Sequence, residues 1–338
     1  MDERKFYNAA AIALKGNYKK LKKLKDSYGS WKAAWKNIDG AQNPDQEYAR
    51  LEKIGIKIIL LEDSSYPELL KQIPFPPLAL YVLGNLGYTE PAVAIIGTRM
   101  PTPQGKELAG IFSGKLSSAG IPIISGLALG IDAEAHKGAL ENSGKTIAVL
   151  GTPLDNIYPR QNSRIADDIL ESGGAIISEF ALGHPYNPAN FLARNRIVSG
   201  LSNGILIIEA PERSGSLATA KFALEQNREI FVIPGNTSSS NYKGSNALLK
   251  SGANLVTEPD DILQYFNISP EKISSTDQSI SEHDKMILDI IKKLDGRATI
   301  DNIMKSADLD VPELNKTLAL LTIKGIIKEL NGKYFLNS

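Results

Sequence analysis

Between Ala92 and Gly105 the chain reads "AVAIIGTRMPTPQG": an apolar run ends on Gly97, and Thr98 and Arg99 follow at once. A strand that stops on a glycine leaves backbone amides uncovered, and a guanidinium beside them is a permanently charged, forked donor. That pairing suits an anion, phosphate above all. The same residue types recur behind other apolar runs. Ser125 and Gly126 open "SGLALGID" after "IPII", and Arg160 stands in "YPRQN" shortly beyond "TIAVLGT". Ser214, Gly215 and Ser216 open a helical stretch in "ERSGSLATA", behind "GILIIEA". "FLARNRIVSGLSN" places Arg194, Asn195 and Arg196 consecutively on a helix, so at most two of them can face one ligand.

Each feature also has a plainer reading. Gly-Thr-Arg can be a tight turn, and Ser214-Gly215-Ser216 only a capped helix start. Arg194 and Arg196 can donate to phosphate or pair with Glu179 or Glu209, and the pattern leaves both uses open. The run "KKLKKLK" (Lys19 to Lys25) reads as a solvated helix face, and His136 as a packing or capping residue. What favours an anion site is convergence: in an open parallel sheet ligands bind beyond the carboxyl ends of the strands, and these motifs all lie there.

The chemistry that is missing narrows the class. The chain has no cysteine, which removes disulfides, thiolate metal sites and cysteine nucleophiles. None of its 3 histidines has a second ligand at metal spacing. There is no Gly-Lys-Ser/Thr phosphate loop, no catalytic triad, and no glycine spacing for a dinucleotide, so no cofactor is expected. Lys+Arg and Asp+Glu are both 38, so any polyanion site must be local. No apolar run is long enough for a bilayer, and "MDERKFYNAA" is charged where a signal peptide is apolar. A soluble cytoplasmic protein with no membrane contact is expected.

The elements that must position these residues follow from periodicity. To about Leu70 the chain is read as short amphipathic helices. A strand at Ile58 to Leu61, a proline-rich connector through Pro74, Pro76 and Pro77, and a strand at Leu80 to Leu83 follow. From Val93 the strands "VAII", "IPII", "TIAVL", "AIIS", "GILII" and "EIFVI" alternate with helices, among them Ala133 to Asn142, capped by Asp132 and closed by Gly144. Continuous Ile/Val runs imply burial on both faces, hence an α/β fold with a Rossmann-like, doubly wound, mostly parallel sheet. "NISPEKISSTDQSIS" reads as a linker. Beyond it, three helices and a hairpin around Asn331-Gly332 give a winged helix with 9 Lys/Arg and 8 Asp/Glu over residues 283–338, so contact with protein is as open to it as contact with DNA. The expected domains are residues 1–72 (helical), 73–266 (core), 267–281 (linker) and 282–338 (winged helix).

Taken in order, "IIGTR", "SGLALGIDAEAHKGAL", "YPRQN", "RNRIVSGLS", "SGSLATA" and "GSNALLKSGA" resemble the DNA-processing protein A family (DprA, also called Smf) over nearly the whole chain. The resemblance implies an N-terminal SAM-like helical domain and a core that binds single-stranded DNA. It further implies a homodimer and loading of the RecA recombinase onto that strand during natural transformation. Arg99 then matches the family's DNA-contacting arginine and Arg160 a basic residue of the same role. Thr98, Ser125 and Gly126 match small residues of that pocket. The helix from about Asn246 to Ala253, with Leu248 and Leu249, falls where the family dimerises and meets RecA. Leu129 stands where the family commonly has a basic residue. A second reading on the same fold is similarity to the LOG-type phosphoribohydrolases. Their Pro-Gly-Gly-x-Gly-Thr loop and helix carboxylate have no counterpart in "SGSLATAKFALEQ", whose first acid is Glu225. Binding without bond-making is therefore the expected activity, with no catalytic residue.

Overall fold

The computed structural model describes residues 2–87, 90–268, 282–294, 297–307, 309–323, 326–330 and 332–336. Two compact units divide the chain, Met1–Pro270 and Glu271–Ser338.

The larger unit is built on one sheet of nine strands: β1 Lys57–Leu60, β2 Ala79–Gly84, β3 Val93–Ile96, β4 Ile123–Ser125, β5 Thr146–Leu150, β6 Ala175–Ser178, β7 Gly204–Ile207, β8 Glu229–Val232 and β9 Asn254–Leu255. Their order is β1-β2-β6-β5-β4-β3-β7-β8-β9. β3 to β9 are mutually parallel, whereas β2 runs antiparallel to both β1 and β6. The order reverses between β3 and β7, the topological switch point at which such sheets open a crevice.

The helices of this unit are α1 Glu3–Ala13, α2 Tyr18–Tyr28, α3 Trp31–Lys36, α4 Pro44–Lys53, α5 Glu68–Lys71, α6 Pro103–Ser118, α7 Ile131–Glu141, α8 Ser163–Glu171, α9 Pro188–Gly200, α10 Gly215–Glu225, α11 Lys243–Lys250 and α12 Pro259–Tyr265. Strand periodicity sorts them into two layers. Ala148 and Leu150 of β5 enter a core with Phe6, Tyr7, Trp31 and Ile165, from α1, α3 and α8. Ile147 and Val149 point the other way, into a core with Ile197 and Val198 of α9 and Ala220 and Ala223 of α10. The N-terminal helices thus share a core with the sheet, and β1 adds an edge strand to it from within residues 1–72.

One local reading needs correction. Asp132 does not cap its helix, because α7 begins at Ile131 on Gly130, which makes no side-chain cap bond. Gly144 does close the helix, its amide donating to the Ala139 carbonyl at 2.8 Å, while Ser143 takes the left-handed conformation (φ 55°).

In the smaller unit α13 Glu282–Lys293, β10 Arg297–Thr299, α14 Ile300–Ser306 and α15 Val311–Ile323 precede the hairpin β11 Ile327–Leu330 and β12 Lys333–Leu336. Its sheet order is β10-β12-β11, the topology of a winged helix. β10 is absent from the sequence reading, because three residues are too few to show period-2 alternation. Residues 269–281 of the expected linker, and Asn331 of the expected turn, lie outside the described residues.

Candidate nucleic-acid interface

Gly97 ends β3 against packed neighbours: a β-carbon there would stand 2.5 Å from Ile131 Cγ1 and 3.0 Å from the Glu209 carbonyl oxygen. Only glycine fits, so the chain turns tightly and sends Thr98 and Arg99 up past the sheet edge. The Thr98 amide donates to the Glu209 carbonyl (2.8 Å), and its own carbonyl accepts from the Ile131 amide (3.2 Å). Arg99 projects from this pinned backbone. It is exposed, and no hydrogen bond or ion pair ties it to any described residue.

The facing loop, Gly126 to Gly130, is held from inside. Asp132 accepts the amides of Gly126 (3.0 Å) and Ala128 (3.4 Å). Burial pushes its carboxyl pKa up, while Arg194 and those amides pull it back. Arg194 is 4% exposed and donates to the Gly126 carbonyl (2.6 Å), the Val149 carbonyl and the Asn195 side chain (3.2 Å). Its guanidinium lies on Gly126, where a β-carbon would approach Nη2 to 2.5 Å. Burial lowers the Arg194 pKa to about 10, which leaves it charged at neutral pH.

On the far side α10 begins. Ser214 caps it, its hydroxyl accepting the Ser216 amide (3.1 Å) and lying 2.8 Å from the Ser216 hydroxyl. Gly97, Thr98, Arg99, Gly126, Arg194, Asn195, Ser214, Gly215 and Ser216 together line an open depression of about 580 Å³, in which Asp132 is the one acid. Arg213, not singled out from the sequence, also lines it and is exposed and unpaired among the described residues. Its place directly before the Ser214 cap was the available signal.

Arg99 lines a second, apolar recess of about 50 Å³ as well, with Leu129, Tyr158, Pro159 and Phe191. Tyr158 and Phe191 form a three-ring cluster with Tyr186, centroids 5.3 to 5.7 Å apart. Tyr158 and Tyr186 are 40% and 55% exposed. Tyr186 escaped notice because a lone tyrosine in a polar loop carries no periodic signal. Arg160, exposed and unpaired among the described residues, stands one residue beyond Pro159, next to this recess rather than in it.

Other expected site residues are turned to different uses. The Ser125 hydroxyl is fully buried and donates to the Ile95 carbonyl (2.7 Å). Arg196 makes a bidentate pair with Glu179 (2.7 Å and 2.7 Å) and also donates to the Phe75 carbonyl (3.0 Å). Both lie outside the depression, because strand and helix pleat point them into the protein. Glu209, the carboxylate behind the loop, is fully buried and accepts from the Thr102 amide (3.0 Å), the Thr102 hydroxyl and Asn241 (2.9 Å). Among the described residues no three His, Asp or Glu side chains gather as metal ligands, and no helix is long and apolar enough to cross a membrane.

In α11 the Asn246 amide bridges both backbone groups of Gly235 (3.2 Å and 3.0 Å), and Leu248, Leu249 and Ala253 pack partly against the core. Lys243, Ala247 and Lys250 are its exposed positions.

Comparison with known proteins agrees with this architecture. The family model for DNA recombination-mediator protein A matches residues 57–267. Protein Smf of Escherichia coli is 38% identical over 292 residues, 84% of this chain and 78% of that protein. The crystal structure of DNA processing protein A from Streptococcus pneumoniae superposes with a TM-score of 0.65 at 33% identity, covering 78% of this chain and 98% of the other. The Helicobacter pylori protein, whose structure addresses its single-stranded DNA binding mode, superposes with a TM-score of 0.57 at 33% identity, covering 62% and 96%. The match runs from the edge strand β1 through the last helix around the sheet, and the chain belongs to the DNA recombination-mediator protein A family.

Proposed function

We propose that this protein binds single-stranded DNA at the β3–β7 switch point, without breaking any bond and with little preference for sequence. One observation carries the reading. The unpaired Arg99 guanidinium stands between a polar depression opening on the start of α10 and a three-ring apolar patch. A nucleotide has these two halves, a phosphate for the amides, hydroxyls and guanidiniums, and a base face for the rings. Stacking tolerates every base, so little sequence preference is expected. Glu209, with its oxygens taken by Thr102 and Asn241, is placed to hold the loop rather than to transfer a proton.

The finer role follows from the resemblance: a homodimer that brings two such sites to one strand and loads RecA onto it. Two linked sites would raise avidity without new contacts. Light scattering should give twice the monomer mass of 36.6 kDa.

Anisotropy with a labelled oligonucleotide tests the site. Arg99→Ala and Arg160→Ala should each weaken binding at least tenfold while melting stays at the wild-type temperature, since neither side chain holds another residue. If both variants bind as wild type does, the site is elsewhere. Release of free base from a nucleoside monophosphate would make the protein a hydrolase instead.

A further inference from the structure

We infer that α2 carries a second stretch of the same strand, its lysine face continuing the phosphate path that begins at Arg99. This rests on the reading proposed above and extends it into the N-terminal helices.

α2, "YKKLKKLKDSY", has five lysines and one acid. Lys22 is engaged with Asp26 (3.5 Å), and Lys25 with Glu62 (3.2 Å) and the Trp31 ring (5.4 Å). Lys19, Lys20 and Lys23 are exposed and have no partner among the described residues, and neither has Lys15 in the turn before the helix. The first 60 residues hold 13 Lys/Arg against 7 Asp/Glu in a chain whose net charge is +0, so the excess is placed here and balanced elsewhere.

The start of α2 adjoins the loop that leads to Tyr186. The turn into α2 lies on the loop that carries Tyr186: a β-carbon at Gly16 would be 3.3 Å from His184 Cε1. His184 stacks on Phe180 at 4.4 Å and precedes Tyr186 by two residues. Tyr18, the first residue of α2, meets the exposed Phe75 ring at 6.3 Å. The turn Leu14 to Asn17 thus lies beside the loop leading to the Tyr158–Tyr186–Phe191 patch, and it contains no acid.

The occupant is a nucleic-acid backbone rather than a lipid surface. An amphipathic helix enters a membrane through a free apolar face. In α2 that face is already used, since Leu21 is 2% exposed and Tyr18 and Leu24 pack on the same core. What remains outward is charge without apolar anchors, which holds a phosphate chain in place and reads no sequence.

The test uses the full chain with Lys19, Lys20 and Lys23 all changed to Ala, and in parallel all changed to Arg. Binding is measured on oligonucleotides of about 6 and about 30 nucleotides, lengths below and above the reach of one site. The alanine variant should bind the short strand as wild type does and the long one about tenfold more weakly. Its salt slope on the long strand should be shallower by about 1.4, two phosphates' worth. The arginine variant should restore both. Equal affinity of wild type and alanine variant for the long strand overturns the inference. So does a salt-dependent pelleting of wild type with phosphatidylserine vesicles that the alanine variant loses. Arg99→Ala separates the two claims: if it leaves both lengths bound normally, the reading of the main site falls, whatever α2 does.

Discussion

Arg194 and Arg196 stand two residues apart on α9 and do unlike things. Arg194 is swallowed by the loop it supports and Arg196 is spent on Glu179, while Arg99, on a turn, is exposed and has no partner among the described residues. The difference is burial. A guanidinium among carbonyls organises backbone, and one in water without an acid is available to phosphate. His136 shows the cost of burial for a titrating group. It is fully buried against Thr146 (2.7 Å), and burial lowers its pKa from 6.5 to about 3. The unfolded chain takes up that proton below pH 6.5 while the folded one does not, so stability is lost as pH falls through this window. This group contributes about 1.4 kcal/mol per pH unit between roughly 6 and 4. Denaturant titrations should show His136→Gln with a pH slope smaller by one proton; an unchanged slope would place the acid sensitivity on other residues.

At the scale of elements, α9 is the hinge between the site and the fold. Its inner face enters the core through Ile197 and Val198, its first turn gives Phe191 to the ring patch, and its outer side is latched to the end of β6 by Arg196 and Glu179. The two side chains are 12% and 14% exposed, and breaking so buried a pair leaves an uncompensated charge. Arg196→Ala should lower stability by about 3 kcal/mol and, below its melting point, leave DNA affinity within twofold. A variant that keeps its melting temperature and loses DNA would instead make Arg196 a ligand contact. A double-mutant cycle with Glu179→Gln isolates the pair.

For the whole molecule the decisive quantity is where charge lies. With 38 cationic and 38 anionic residues the chain as a whole draws no polyanion, so any polyanion contact must be local. About three phosphates held there give a log–log salt slope of about −2 on a short single strand. A slope beyond about −4 on that short strand would mean a much larger contact than the Arg99 rim and its neighbours provide. Duplex DNA should bind more weakly, since its bases are not free to meet the Tyr158–Tyr186–Phe191 patch.

The parallel strands were legible because buried Ile/Val runs in "TIAVL" or "AIIS" have one plausible home, and Gly97 and Arg99 stood out only because several strand-end motifs converge on one rim. Local pattern also put the lysines of α2 on a solvated helix face. It could not say that Ser125 would turn inward, decide between phosphate and the acids Glu179 and Glu209 as the partner of Arg196, or say that Asp132 would hold a loop instead of capping a helix and Tyr186 would complete the ring cluster. Those outcomes depend on side-chain direction and on partners distant along the chain, such as Ser125 with Ile95 or Arg194 with Gly126. Periodicity along a chain reports which face is buried; only packing across it decides which polar groups are used up inside and which are left for a ligand.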